Sequence, residues 1–592
     1  MADPSNGTIA DALEELGDLY ELDGAVVHRV LAYRTAARAV REAPRSVAAL
    51  TREGRVTEIP GIGATLEQKI ADLIETGEIP AAVKLRARFP AGLVAITALP
   101  GIGAKRARRL FDELGIDSPQ TLREAAQAHR LRTVRGFGAK FEESVLAALD
   151  AGAAERPRTR IVLDRALAIG GLAIDALLEL DPSARALLAG SVRRRAESAK
   201  DLDIVLDRPE LLDRLGELEL FESSSRTGDA GARARTHSGE LVELRAVAPE
   251  QFGNLLQHLS GSAAHNAALR ERAVRMGLHL SEYGVLDDAT GETRHCATEE
   301  ELYALVGLRY IEPELRENRG EIEAAAAGAL PALVELADIR GDLHCHTNAS
   351  DGHATIDEMA IAARELGHEY LAITDHSASH GFGDDVSPEQ LRRQIELVRG
   401  ADERIDGITL LAGSEVNVLP DGALDYDDEL LAALDWVIAS VHTSFGLDSD
   451  AMTERVIAAA RHPSVDAIGH LTGRLIERRA PYALDTDAVF AACAKAGTLI
   501  EINANPDRRD LSEVHARAAA AAGVRIVINS DAHWPERLAN LRYGVWTARR
   551  AWLGPQQIAN TLPWPALRAT LKRAAAAPGA AAPRRGGRRS AG

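Results

Sequence analysis

Cysteine is scarce in this chain. Cys296, Cys345 and Cys493 are its three thiols, too few and too scattered for a disulfide framework or a thiolate zinc site, which agrees with a reducing compartment. A basic, then apolar N-terminal leader is missing, and so is any apolar run long enough to span a bilayer. The expected location is therefore the cytoplasm, with no membrane partner. Positive charge is also in deficit: 69 Lys and Arg against 88 Asp and Glu leave −19 at pH 7, which argues at first against a phosphate backbone as partner.

What is present reverses that impression locally. Arg29, Arg34, Arg38, Arg41 and Arg45 gather near the start, followed by Lys105, Arg106, Arg108 and Arg109 and then by Arg193 to Arg195. A local basic patch binds DNA even within an acidic protein. Three segments share one pattern: Ile59-Pro60-Gly61-Ile62-Gly63, Leu99-Pro100-Gly101-Ile102-Gly103 and Val134-Arg135-Gly136-Phe137-Gly138. Each stands between two expected helices. Its glycines permit a tight turn that presents backbone N–H groups at a helix N-terminus, where a phosphate oxygen is favoured. The pattern matches the helix-hairpin-helix motif, a clamp on the DNA backbone that does not read sequence. Lys69, one turn past the first loop, is an expected phosphate contact. With 592 residues, 46% of them hydrophobic, the chain has room for three or more domains.

The pattern turns to mixed strands and helices from about residue 160. Leu187-Leu188-Ala189-Gly190-Ser191 runs into Val192-Arg193-Arg194, and after a polar spacer comes Lys200-Asp201-Leu202-Asp203-Ile204-Val205-Leu206. In a strand Asp201 and Asp203 share one face while Leu202 and Ile204 point to the core. Two such carboxylates suit a pair of Mg²⁺ ions. Leu241 to Val247 reads as a neighbouring strand with Val242, Leu244 and Ala246 inward and Glu243 facing the cleft. These residues, with Gly261-Ser262-Ala263-Ala264-His265-Asn266, resemble the nucleotidyltransferase core of family X DNA polymerases. The resemblance implies Asp201, Asp203 and Glu243 as catalytic ligands of two Mg²⁺ or Mn²⁺ ions. It further implies Gly190, Ser191, Arg194 and Asn266 as nucleotide-binding residues, and a lyase-type role for Lys69. Two positions depart from the family: Glu243 stands for the usual Asp, and His258-Leu259 for a Tyr-Phe pair.

Further on, functional residue types recur at strand ends. Gly341-Asp342-Leu343-His344-Cys345-His346 leads to Asp351, and Leu371-Ala372-Ile373-Thr374 ends at Asp375-His376. Ile408 to Ser414 ends at Glu415, Trp436 to Val441 at His442, Val465 to Gly469 at His470, and Arg525 to Ser530 at Asp531-Ala532-His533. Amphipathic helical stretches lie between them, one opened by a capping box at Thr355. Alternating strands and helices with polar residues at the C-terminal strand ends describe a β/α barrel with its site at that mouth. Imidazoles mixed with carboxylates suit Mn²⁺ or Zn²⁺.

The set resembles the polymerase-and-histidinol-phosphatase (PHP) domain, which implies metal-dependent phosphoester hydrolysis. Carried over, one metal takes His344, His346, Glu415 and Asp531, a second Glu415, His442 and His470, and a third Asp351, His376 and His533. Asp375 is expected to orient His376 or to cap its strand, and Cys345 to point into the barrel wall.

The whole chain thus resembles a bacterial family X polymerase with a C-terminal PHP domain. The implied fold class is multidomain α+β and α/β. It comprises a helical, lyase-like DNA-binding domain (1–88), fingers (89–155), a nucleotidyltransferase palm (156–249), a thumb (250–320), a helical linker (321–338), a distorted (β/α)7 barrel (339–572) and a disordered basic tail (573–592). The implied activity is gap-filling synthesis in DNA repair with 3′-5′ exonuclease or 3′-phosphatase action. Its implied partners are gapped or nicked duplex DNA and deoxynucleoside triphosphates, with the chain a monomer on the nucleoid. Two alternatives follow from the departures: a polymerase-silent PHP nuclease or phosphatase, and a non-catalytic DNA-end scaffold.

Overall fold

The structure, a computed structural model, describes residues 3–97, 99, 102–151, 160–381 and 385–573. Gly101 and residues 574–592 of the expected tail lie outside them. Arg573, the first residue of that tail, pairs with Asp466 at 2.8 Å. The chain divides into two compact units. One comprises Met1–Ile161, Leu167–Ala189 and Lys200–Phe252, and the other Val162–Ala166, Gly190–Ala199 and Gly253–Gly592.

Helices fill the first part of the first unit. Asn6–Leu22 and Val27–Glu42 pack through Ile9, Leu13, Leu16, Tyr33, Ala36 and Val40, a heptad-like spacing of apolar residues on each helix. The first glycine turn behaves as its residues dictate. Gly61 sits at φ 88°, Ile62 N–H closes the turn onto Ile59 O at 3.1 Å, and Ala64–Thr76 then begins from Gly63 with no side-chain cap. The third repeats it: Gly136 is at φ 91° and Phe137 N–H donates to Val134 O at 3.1 Å. Ala104–Leu114 likewise starts from Gly103 without a side-chain cap. A Cβ on Gly63, Gly103, Gly136 or Gly138 would meet nothing within 4 Å. First-turn N–H groups that lack an internal partner are thus left open to an outside acceptor. Lys69 lies on Ala64–Thr76, partly exposed.

The unit closes with a five-stranded sheet in the order Ala186–Leu188, Leu202–Leu206, Leu241–Ala246, Gly231–Thr236, Phe221–Gly228.

In the second unit, the rest of the helix Phe252–Ser260 from Gly253 on, Ala263–Arg275 and a small antiparallel sheet precede the bridge to the barrel. That bridge is α-helical over Glu321–Ala326 and takes a single 3-10 turn at Leu336–Asp338; it is not the continuous helix its alanines suggest. Gly328, at φ 68°, and Pro331 end the α-helical part, since neither continues a helix.

Seven parallel strands follow in sequential order: β1 (Gly341–Cys345), β2 (Tyr370–Ile373), β3 (Thr409–Asn417), β4 (Trp436–Ser440), β5 (Ala467–Ile468), β6 (Leu499–Asn503) and β7 (Ile526–Asn529). A bridge between Cys345 and Ala532 and the hydrogen bond from Asp531 N–H to His344 O, 2.9 Å, bring β1 against the end of β7 and nearly close the barrel. Alternation sorts the side chains. Leu343, Ala372, Leu411, Ile438, Ala467, Leu499 and Val527 fill the interior floor with Trp436, while Leu371, Ile373, Val437, Ala439, Ile500 and Ile528 pack outward against the helices. The polar residues of the interior face lie above that floor. Among the described residues no helix is long and apolar enough to cross a membrane.

Candidate metal centre

At the C-terminal ends of the barrel strands the expected histidines and carboxylates converge. The register shift in β1 between Asp342 and Cys345 accompanies the reversal that puts Leu343 on the floor and Cys345 in the outer layer. Cys345 donates its thiol proton to Ala372 O at 3.3 Å, as its expected place in the barrel wall requires. Glu415, fully buried on β3, is the hub. Its Oε1 lies 2.8 Å from His470 Nε2 and 3.2 Å from His442 Nε2. Its Oε2 lies 2.9 Å from His376 Nδ1, 3.4 Å from His344 Nε2 and 3.6 Å from His346 Nε2. Asp531 Oδ1 is 3.2 Å from His346 Nε2 and 3.6 Å from His344 Nε2. Nearer the solvent, Asp351 Oδ1 stands 3.3 Å from His533 Nε2 and 3.5 Å from His376 Nε2.

Among the described residues three subsets have donor atoms close enough to share an ion: His344, His346 and Asp531; His376, Glu415 and His442; and His346, Asp351, His376 and His533. They overlap the three expected sets without repeating them, because His376 reaches Glu415 as well as Asp351, and His346 reaches the Asp351 group.

The donor atoms fit cations. Both ring nitrogens of His346 and of His442, Nε2 of His344, Nδ1 of His376 and His470, and Oε2 of Glu415 are buried without a hydrogen bond. Buried polar atoms are seldom left so. His344 shows the design most clearly: its Nδ1–H donates to Glu501 Oε1 at 2.7 Å, which turns the Nε2 lone pair toward Glu415 and Asp531. Burial, aided by His533 and His376, pushes His346 down to about 3, and burial lowers His442 to about 4 despite Glu415. Both imidazoles are therefore neutral, as ligands must be. Burial would lower His376 too, yet Glu415 and Asp351 hold it up at about 10. Burial opposes the charge of Glu415, but the surrounding histidines keep it well below the ordinary carboxylate range.

Several supporting residues escape notice in the sequence. Glu501, fully buried on β6, also accepts from His470 N–H at 2.8 Å and from Asn529 Nδ2 at 2.9 Å. Asn503 donates to Asp531 at 2.9 Å. Their strand, Leu499-Ile500-Glu501-Ile502-Asn503, alternates as the others do, and that alternation is the signal that finds it. His380 stacks on His376 with centroids 4.1 Å apart and is hydrogen-bonded to Asp385. Asp375 corrects an expectation: none of the partners of its carboxylate is His376. It accepts from Thr347 N–H and Oγ1, each at 2.7 Å, from Ser350 Oγ at 2.6 Å and from Gln394, bracing the loop that carries Asp351.

The residues expected of the palm are divided between the two units. In the first, Leu202–Leu206 and Leu241–Ala246 are parallel neighbours with Asp203 opposite Glu243. Leu202, Ile204, Val242 and Leu244 are buried, so these two carboxylates share the other face, and Asp201 precedes the strand. Glu243 also accepts from Arg233 at 2.6 Å. In the second unit Gly190, at φ 61°, opens the short helix Gly190–Arg193 that includes Ser191. Arg194 is engaged by Glu317 at 3.0 Å and by Ser260 O at 3.0 Å. Asn266 donates to His258 O at 2.6 Å and accepts from Gln257 at 2.9 Å. A Cβ on Gly261 would sit 2.1 Å from Asn266 Oδ1, which explains a glycine there.

Comparison with known proteins agrees with this geometry. Family models match for a helix-hairpin-helix domain at residues 4–79, a SAM-like helix-hairpin-helix tandem at 94–151, the DNA polymerase beta thumb at 255–317 and the PHP domain at 342–505. The last stops short of Asp531 and His533, which the fold returns to the same mouth. Part of the chain is similar to a probable phosphatase of Syntrophotalea carbinolica, 28% identical over 37% of this chain and 90% of that protein. It is also similar to one of Caldanaerobacter subterraneus, 34% identical over 32% and 75%. The DNA polymerase/3′-5′ exonuclease PolX of Bacillus subtilis is 37% identical over 95% of this chain and 98% of its own length. At that identity over nearly the whole of both chains, and with helix-hairpin-helix, thumb and PHP models all matched along this one, this protein belongs to the PolX family, the family X DNA polymerases that carry a PHP domain.

Proposed function

We propose that this chain is a DNA repair enzyme with two active sites, a palm that fills gaps from deoxynucleoside triphosphates and a barrel that hydrolyses phosphoesters at 3′ ends. The observation that carries the second activity is the convergence on buried Glu415 of imidazole nitrogens left without hydrogen bonds. His344, His346, Glu415 and Asp531 would hold one ion, Glu415, His442 and His470 another, and Asp351, His376 and His533 a third, as Mn²⁺ or Zn²⁺. Divalent metals bound there supply an activated water and positive charge for phosphate oxygens. The protein's part is positional: Glu501 fixes the tautomer of His344, Asp375 holds the Asp351 loop, and burial keeps His346 and His442 neutral.

In the palm, Asp201, Asp203 and Glu243 would hold two Mg²⁺ or Mn²⁺, while Gly190, Ser191, Arg194 and Asn266 would receive the nucleotide. Gly61, Gly63, Lys69, Gly101, Gly103, Gly136 and Gly138 would line the DNA backbone. The chain would act as a monomer on gapped or nicked duplex in the cytoplasm, with the domain limits read from its sequence.

The pairing of Glu243 with Arg233 supports a second reading, a silent palm beside an active barrel. Gapped DNA labelled at its 3′ end, with and without nucleotides and across Mg²⁺, Mn²⁺ and Zn²⁺, separates the two. The expected outcome is that Asp203→Ala abolishes extension and Glu415→Gln abolishes 3′-end hydrolysis. Wild-type protein that hydrolyses but never extends establishes the silent palm; hydrolysis that survives Glu415→Gln overturns the barrel assignment.

A further inference from the structure

Aromatic residues make up 4% of the chain, and few reach its surface. Among the described residues the well-exposed large apolar side chains include two aromatics, Tyr283 and Trp534. Trp534 follows His533 of the metal centre directly. Its indole stacks on the imidazole of His353, centroids 4.2 Å apart and planes 18° from parallel, and its centroid is 6.4 Å from that of His533. His353 stands two residues after Asp351, and its N–H donates to His533 O at 2.8 Å. The loops bearing Asp351 and His533 are thereby joined, and the join ends in a pair of stacked rings on the surface. It does so at the open edge of the cluster, where the Asp351 and His533 side chains are 40% and 21% exposed while those of His344, His346 and Glu415 are sealed.

His353 covers one face of the Trp534 ring, and the residue is still 45% exposed. An indole that served packing alone would bury that surface. Positive charge lies at another carboxylate of the cluster: Arg508 Nε is 3.7 Å from Asp531 Oδ2. A flat, open π-surface beside a phosphoester site, with a guanidinium near, matches a nucleotide, whose base stacks and whose phosphate is anionic.

We propose that Trp534, backed by His353, is a stacking platform for the terminal nucleobase of an unpaired 3′ end. This deepens the phosphoesterase reading above and rests on it. Because every base has a π-face, the platform favours base-bearing ends over baseless ones with little choice among the four bases. It also favours frayed or single-stranded ends, whose terminal base is free to leave the helix.

The test uses the full-length protein and two single-stranded oligonucleotides, identical except that one ends in a normal nucleotide and the other in a baseless tetrahydrofuran residue. Wild type is expected to prefer the base-bearing end. Trp534→Ala is expected to lower the ratio of kcat/KM values for the two ends by about 10-fold, mainly through KM, and Trp534→Phe to retain most of it. Independently of turnover, a base-bearing oligonucleotide with a 3′-terminal phosphorothioate linkage is expected to quench tryptophan fluorescence more in wild type than in Trp534→Phe. A ratio that Trp534→Ala leaves unchanged, or equal losses on both ends, would overturn the platform while hydrolysis itself stands. Failure of the wild type to hydrolyse either end removes the phosphoesterase reading and the platform with it.

Discussion

Glu501 shows how much of the candidate metal centre depends on residues outside the expected ligand set. Its carboxylate, without solvent contact, accepts the His344 Nδ1 proton and the His470 N–H, so it orients two ligands at once. Glu501→Gln is expected to weaken metal affinity by about 10- to 100-fold, measured as metal retained after dialysis against a graded chelator, while the fold persists. Retention equal to wild type would show that His344 keeps its tautomer without Glu501. The nine expected ligand positions could be picked out one by one, because the strands that carry them lead into a residue type with lone pairs to offer. Glu501 and Asn503 could not, since their strand, Leu499–Asn503, ends in an amide and not in a histidine or carboxylate. The role of Asp375 was misread for a related reason: neighbours in sequence, Asp375 and His376 point to different partners.

Strands and turns set those residues in place. Gly341 begins β1, where a Cβ would lie 2.3 Å from the Tyr370 ring and 2.5 Å from Tyr370 O. The second contact is backbone and has no rotamer to escape into. Gly341→Ala is therefore expected to destabilise the barrel by about 1–3 kcal/mol, read as a lower denaturant midpoint; a neutral effect would mean that β1 and β2 separate at little cost. The glycine turns were legible because their requirement is local: a left-handed φ at Gly61 and Gly136 is a property of one residue. The bridge after Glu321 was not, since the helix propensity of its alanines yields to Gly328 and Pro331.

At the scale of the molecule, buried charge ties the second unit together. Glu299 takes Arg193 at 2.6 Å and Arg316 as well. Burial would raise its carboxyl, but the two guanidiniums hold it at about 2, against an ordinary 4.5. A depressed folded pKa means that the stabilisation is fully present above the unfolded value and is lost as pH falls from about 4.5 through about 2. That shift corresponds to about 3 kcal/mol. Glu299→Gln is expected to lower stability by roughly that amount at pH 7, and the gap between variant and wild type is expected to close as the pH of denaturant titrations falls from about 4.5 toward 2. A gap that stays constant would place the effect in packing instead. Metal belongs to the same scale. Ions that bind the folded barrel alone stabilise it by mass action, about 2.7 kcal/mol at a concentration of 100 Kd. Chelation is thus expected to lower the barrel's Tm by several degrees in calorimetry, and an unchanged Tm would contradict a loaded centre.

By itself the sequence determined the local facts about this protein: glycine turns poised for phosphate, alternating strands, and a histidine or carboxylate at strand after strand. Each depends on residues within one turn or one pleat of each other. Only the tertiary structure decided which of them meet. Leu343 and Asn529, 186 residues apart, are joined by a hydrogen bond that helps bring β7 against β1. That near-closure sets Asp531 beside His344, buries Glu415 among five imidazoles, and leaves Asp351, His533 and the Trp534 stack at the open edge. Strand alternation is a covalent regularity that can be read along the chain, whereas closure is a long-range balance of packing and pairing that exists only once the barrel has formed.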